Sequence, residues 1–265
     1  MVGRASTPPV VLTIGGSDPS AATGIQADLK TFAAHRLYGT SVITAVTTQN
    51  SRGVDDVFAV PATVVGTQLA ALLEDLPIAA VKVGMLATAE IAAVVAAKAR
   101  SGALPNLVLD PIMSANGGYR AGVTAAVKRL MPYAAVITPN LDEATALVGW
   151  PVTTTADMSG AAAQLAANGA KFVIITGGAA PGDEAVDAMW TPSGTRFLHA
   201  PRVPTRNTHG TGCTFSAAVA ARLALGDAVP DALAAAKRYV TWALESGMSW
   251  RWGGGDTGPL NHLGF

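Results

Sequence analysis

Apolar residues along this 265-residue chain fall into two kinds of run. Short runs rich in β-branched residues predict strands at 10–15, 41–48, 80–85, 106–112, 135–138, 171–176, 185–190 and 196–200. The first six are almost continuously apolar, as in strands buried on both faces, and predict a parallel sheet under two helix layers. The last two are joined by Thr191-Pro192-Ser193-Gly194 and predict an antiparallel hairpin at one edge. Between the strands, Ala-rich segments carry helical spacing. Ile25, Leu29, Phe32, Ala33 and Leu37 form one stripe. Pro61 opens a segment reaching Leu76, with Val64, Leu69, Leu72 and Leu73 apolar. Further helices are predicted at 88–100, 123–131, 141–148, 157–168, 212–225 and 230–246, the last with Pro230 in its first turn, where proline is tolerated. This alternation predicts one three-layer α/β/α domain over 1–265, with a mostly parallel central sheet, an antiparallel edge hairpin and a packed tail from Trp250.

Ligands of such sheets bind outside the carboxyl ends of the strands. The residues expected there are Gly15-Gly16-Ser17-Asp18, Gln49-Asn50, Gly84-Met85, Asp110, Asn140 and Gly177-Gly178. They are unusually polar and glycine-rich.

Composition removes several function classes. Half the residues are apolar and 14% are charged, against about 25% charged in ordinary soluble domains. Lys plus Arg and Asp plus Glu both number 18, so no global field draws nucleic acid or an anionic membrane. A lone cysteine, Cys213, cannot close an intramolecular disulfide. The first ten residues lack the apolar core of a secretory signal. Glu74, Asp75, Lys82, Glu90 and Lys98 break up the most apolar region. A soluble, cytoplasmic protein is expected, with no nucleic-acid or membrane partner.

The densest chemistry lies at Asn207-Thr208-His209-Gly210-Thr211-Gly212-Cys213-Thr214-Phe215, which runs into an apolar helix. Gly210, Thr211 and Gly212 at a helix start let backbone N–H groups converge on an anion, aided by the helix dipole. The bland alternative is a glycine-rich turn with Thr211 as cap. Cys213 falls in the first helical turn, where the dipole lowers a thiol's pKa; alternatively it is a small packing residue. No Gly-Lys-Ser/Thr phosphate loop occurs, and Phe215 breaks a G-x-G-x-x-G reading. Asn140 and Glu143 have the spacing of a helix capping box. His35, His199 and His262 are scattered and lack metal-ligand spacing.

The segment Asn207–Ala218 resembles the anion-hole segment of the phosphomethylpyrimidine kinases of thiamine biosynthesis, members of the ribokinase-like superfamily. Leu12–Ser20, Gly24–Phe32, Ser41–Asn50, Lys82–Leu86, Val108–Pro111 and Ile137–Ala144 match in the expected order, spanning about residues 10 to 225. The resemblance implies a ribokinase-like fold, ATP and Mg2+ as cofactors, and phosphorylation of 4-amino-5-hydroxymethyl-2-methylpyrimidine and then of its monophosphate. It implies an anion hole at Gly210, Thr211 and Gly212, with Cys213 as base or hydroxyl-orienting group. It implies substrate contacts from Gly16, Asp28, Gln49 and Met85, to which Ile112 is added as a pocket wall. It implies nucleotide contacts from Asn140, Glu143, Thr176 and Gly178. Asp110 and Glu143 would serve the metal, Glu143 through water. His209 would help hold the monophosphate, or else simply satisfies the turn, and a homodimer is expected.

Three stretches depart from the family. Thr176 stands where many relatives carry lysine, Ser114–Arg120 lacks a Lys-Ser-Gly, and Ala21-Ala22-Thr23 replaces a glycine-rich stretch. Arg120 is a candidate replacement for the missing cation. The loops at 19–24 and 114–122 are expected to order over bound substrate. The nearest rival reading is a pyridoxal or pyridoxine kinase of the same superfamily. A nicotinamide oxidoreductase is disfavoured, because Pro19 sits where the helix after the first strand should begin.

Overall fold

The computed structural model describes residues 7–115, 118–119 and 121–264. Its centre is a nine-stranded sheet. In chain order the elements are β1 (Val10–Ser17), α1 (Gly24–Ala34), β2 (Tyr38–Asn50), β3 (Gly53–Ala59), α2 (Ala62–Asp75), β4 (Ile78–Val83), α3 (Ala89–Arg100) and β5 (Leu107–Leu109). A small hairpin follows, β6 (Ser114–Ala115) with β7 (Gly118–Tyr119), then α4 (Ala121–Leu130) and a short 3-10 turn. The chain continues through β8 (Val136–Ile137), α5 (Leu141–Val148), α6 (Thr155–Ala167), β9 (Val173–Ile175), β10 (Glu184–Thr191), β11 (Gly194–Pro201), α7 (Thr211–Ala224) and α8 (Val229–Ser246). The sheet order is β11-β10-β9-β8-β5-β4-β1-β2-β3, parallel from β9 to β2 and antiparallel at both edges.

Strand alternation builds two cores. Leu12, Ile14, Val81, Val83, Leu107, Leu109, Ile137, Val173 and Ile175 face α2 to α6. The residues in between, Val11, Ala80, Val108, Val136 and Ile174, face α1, α7 and α8. Every one of these side chains is at most 1% exposed. This is the three-layer architecture that the runs of apolar residues predict.

Two features differ from the sequence reading. The second strand is not buried on both faces: β2 runs 38–50 with exposed positions, because it is only one strand from the edge. That edge is β3, paired antiparallel to β2 and unpredicted; its Asp55-Asp56 and exposed residues lack the apolar run of a buried strand. Both edges are therefore antiparallel, not one. Strand ends also shift. Gly15-Gly16-Ser17 and Gln49-Asn50 lie within β1 and β2 rather than beyond them. β5 stops at Leu109 instead of 112; Pro111 cannot donate to a ladder.

Residues after Ser246 form neither helix nor strand but are stitched to the body. His209 N–H donates to the Gly258 carbonyl at 3.0 Å, and Asn207 Nδ2 donates to the carbonyls of Gly247 and Trp250 at 2.8 and 3.0 Å. Among the described residues no helix is long and apolar enough to cross a membrane.

Candidate active site

The inner core face that packs under α1 and α7 changes character at the strand ends. Thr13 is in phase with Val11, Lys82 with Ala80 and Asp110 with Val108, so three polar groups continue three apolar rows. Asp28 of α1 and Ser216 of α7 complete a buried cluster. Lys82 Nζ donates to both oxygens of Asp28 at 3.0 Å and lies 3.6 Å from Asp110 Oδ2. Thr13 Oγ1 donates to Asp28 Oδ2 at 2.6 Å, and Ser216 Oγ to Asp110 Oδ2 at 2.9 Å. Lys82 is 1% exposed, Asp28 0% and Asp110 3%. Burial alone would lower the Lys82 ammonium, but the carboxylates, Asp28 foremost and Asp110 with it, outweigh it and hold it above the usual lysine range. Burial raises both aspartates against the pull of Lys82.

This placement corrects the expectation for Asp28. It is not among the residues that line either cavity described below. α1 lays Ile25, Asp28 and Phe32 on the sheet at helical spacing, so the carboxylate enters the layer interface and meets Lys82. Lys82 itself had no role in the sequence reading. Its signal was available: a lone charge inside a strand buried on both faces demands a partner.

α7 separates two cavities at its N-terminus. The first, of about 240 Å3, is lined by Gly16, Gln49, Lys82, Met85, Ile112 and Cys213, with Asp18, Thr23, Thr47 and His209 around them. A β-bulge at Gly15–Gly16 in the β1–β2 pairing bends the strand at this wall. Gln49 Nε2 reaches Thr23 Oγ1 at 3.3 Å and His209 Nε2 at 3.2 Å, while Gln49 Oε1 accepts from Thr47 Oγ1 at 3.2 Å. The contact to His209 requires its Nε2 to be the unprotonated, accepting nitrogen. Asp18 accepts from the N–H and hydroxyl of both Ser20 and Thr23, at 2.7 to 2.9 Å. Burial would raise its carboxyl, but those four bonds hold it below the ordinary value. Lys30 Nζ also donates to the Ala21 carbonyl at 2.6 Å. These bonds tie the 19–24 loop to itself and to α1.

The second cavity, of about 370 Å3, collects Asn140, Thr176, Gly178, Thr211 and Gly212. Sequence reading missed three of its charged residues, which come from distant segments. Asp187 accepts from Gly177 N–H at 3.0 Å and from Lys237 Nζ at 2.7 Å. Arg202 donates to the carbonyls of Gly178, Ala180, Gly182 and Glu184, clamping the loop after β9. The only local hint was a lysine on the apolar stripe of α8, between Leu233 and Val240. Arg120, proposed to replace the cation missing at Thr176, lies outside the described residues.

The partition is the first turn of α7. Gly210 is its N-cap at φ 96°, and a Cβ there would collide with the Ala22 carbonyl, so glycine is required on both counts. Thr211 does not cap the helix; its N–H and hydroxyl both donate to the Thr208 carbonyl. The N–H groups of Gly212 and Cys213 have no acceptor among the described residues. The Gly210 N–H is likewise without an acceptor among the described residues, so of the expected donors only Thr211 is occupied, and Cys213 adds one the sequence had not placed there. Thr211 and Gly212 face the second cavity and Cys213 the first. The Cys213 thiol also departs from expectation. Burial pushes it up to about 12 despite nearby Lys82.

Asn140 and Glu143 form the capping box of α5, each side chain accepting from the other's backbone N–H at 2.9 Å. Asn140 nonetheless lines the second cavity, so the cap and a ligand contact are compatible. Glu143 lines neither cavity. Burial, reinforced by Asp110, pushes its carboxyl up to about 8. Among the described residues no three His, Cys, Asp or Glu side chains gather as a metal site. Asp110 also lines neither cavity and repels Glu143, while its Oδ2 accepts from Ser216; hard divalent cations take such oxygen donors together with water and phosphate oxygens.

Residues 18–261 match the family model of phosphomethylpyrimidine kinase. The hydroxymethylpyrimidine/phosphomethylpyrimidine kinase of Streptomyces coelicolor is 44% identical over 97% of this chain and 95% of its own length. A thiamine biosynthesis bifunctional protein of Geobacter sulfurreducens is 41% identical over 96% of this chain, which covers 52% of that protein. Among solved structures, the pyridoxal kinase of Staphylococcus aureus in complex with AMP-PCP and pyridoxal superimposes with a TM-score of 0.89 at 36% identity, over 97% of this chain and 94% of that one.

Proposed function

The chain belongs to the phosphomethylpyrimidine kinase family, and from that premise we propose that it transfers the γ-phosphoryl group of ATP to 4-amino-5-hydroxymethyl-2-methylpyrimidine and then to the resulting monophosphate. It is a phosphotransferase, and thiamine biosynthesis is its setting. The observation that carries the reading is the first turn of α7: two unpartnered N–H groups on a wall between two cavities.

The first cavity takes the acceptor. Gln49 offers a donor and an acceptor to the aminopyrimidine edge, exchanging its contacts with Thr23, Thr47 and His209 for the ligand. Met85 and Ile112 supply apolar walls, and Gly16 leaves the ring room. The second cavity takes the nucleotide, with Asn140, Thr176 and Gly178 along its side and Thr211 and Gly212 at its inner end. The new bond forms between the acceptor oxygen and the γ-phosphorus as the bond to the β,γ-bridging oxygen breaks. Charge on the moving group's oxygens then meets the N–H groups of Gly212 and Cys213, already oriented by the helix. At neutral pH Cys213 keeps its proton, so it orients the acceptor oxygen as an S–H donor rather than acting as a base. A loose transition state tolerates this, because the hydroxyl proton leaves late, to a phosphate oxygen or water. Asp110 and Glu143 would hold magnesium, Glu143 through water. Bound there, the metal would neutralise charge on the transferring phosphates.

ADP release in the presence of the pyrimidine alcohol tests the reading. Turnover that depends on the alcohol, with formation of its mono- and diphosphate, is expected. The likeness to the Staphylococcus aureus pyridoxal kinase supports a second reading: a kcat/KM larger for pyridoxal than for the alcohol would replace the first with it.

A further inference from the structure

Lys82 is a nearly fully buried cation on the wall of the first cavity. An ammonium has three N–H donors. Among the described residues its hydrogen bonds at 3.0 Å go to the two oxygens of Asp28, and Asp110 is a longer ion-pair contact at 3.6 Å. The N–H not held by Asp28 is therefore only weakly engaged and is available to a ligand in the cavity. Gly84 keeps that space open, since a Cβ there would lie 2.9 Å from the Lys82 nitrogen. The other formal charge on the wall, Asp18, is occupied by its four bonds from Ser20 and Thr23. Cys213 borders the same cavity.

We propose that Lys82, fixed from behind by Asp28 and Thr13, is the acceptor-side anion subsite, and that it selects the phosphorylated acceptor for the second transfer. The inference rests on the pyrimidine reading above and deepens it. The neutral alcohol uses the spare N–H as a single hydrogen-bond donor. The monophosphate places two negative charges in the same cavity, where Lys82 is the lysine or arginine among its described lining residues. Asp28 is the positioning residue: it holds the ammonium at the cavity wall.

Calorimetric titration of nucleotide-free protein with the alcohol and with its monophosphate reads the subsite directly. Because removing one member of a buried ion pair can unfold a protein, the neutral pair Lys82→Met with Asp28→Leu is used, with thermal melting as a folding check. The ratio of monophosphate to alcohol affinity should fall about 10- to 100-fold, the range for hydrogen bonds to charged groups. Asp28→Asn keeps the ammonium and removes its counter-charge, so the same ratio should rise. An unchanged ratio in the double variant, or a fall in Asp28→Asn, overturns the subsite while leaving the kinase reading intact. Wild-type protein that binds neither compound overturns the pyrimidine reading and the subsite together.

Discussion

The two faces of the central sheet obey the same alternation but end differently. Toward α2–α6, inward side chains stay apolar to the carboxyl ends: Ile14, Val83, Leu109 and Ile175 close their rows. Toward α1 and α7, the rows end in Thr13, Lys82 and Asp110. One face therefore supplies stability alone. The other exchanges some apolar burial for charges that are stable only because each meets a partner, and those charges lie beside the cavities. The contrast predicts that stability and activity separate by face.

The largest effects should come from breaking the polar face. Asp28→Ala leaves Lys82 buried without its partner and should cost about 3–5 kcal/mol in unfolding free energy, measured by denaturant titration. On the opposite face Leu109→Ala should cost about 2–5 kcal/mol, yet the protein that remains folded should keep kcat/KM within a few-fold. A large loss of kcat in folded Leu109→Ala protein would erase the distinction. Gly210→Val comes next. It forces a β-branched residue into a left-handed conformation against the Ala22 carbonyl and shifts the first turn of α7. A kcat loss of about 10²–10³ is expected, the usual consequence of displacing an oxyanion donor.

Much of this was legible in the sequence, and the failures have physical causes. Almost continuous apolar runs gave the sheet between two helix layers, because parallel strands are buried on both faces. β3 escaped because an edge strand needs no apolar run, and Asp55-Asp56 look like a turn. The glycine turn was recognisable before α7, but which amides stay free depends on the Thr208 carbonyl, whose position is tertiary. Asp28 was placed at the substrate because its helical position is visible and its partner is not. Lys82 lies 54 residues away, and the pairing exists only once α1 packs on β4. The same holds for Asp187 and Lys237, separated by 50 residues.

Smaller effects sharpen the picture within the polar side. Gln49→Ala should raise the KM for the acceptor roughly 3- to 30-fold, the worth of one or two net hydrogen bonds, and leave the KM for ATP unchanged. A rise in both would mean that the two cavities are not independent.

A pH effect concerns the tail beneath α7. His262 is 3% exposed, with Nε2 2.9 Å from the Thr214 hydroxyl. Burial, aided by Lys30, lowers its imidazole to about 4, against 6.5 unfolded. Between those values the unfolded chain binds the proton and the folded one does not, so stability falls as pH drops from about 6.5 to 4. Melting temperatures across that window should show a shallower slope in His262→Gln; an identical slope would remove His262 as its source.

The most direct measurement is a crystal structure with ADP, magnesium, aluminium fluoride and the pyrimidine alcohol. The planar fluoride group should lie between the two cavities, with its fluorines about 2.7–3.1 Å from the amide nitrogens of Gly212 and Cys213, and the ring against Gln49. A fluoride group bound away from those amides, or amides turned onto protein acceptors, would contradict the account.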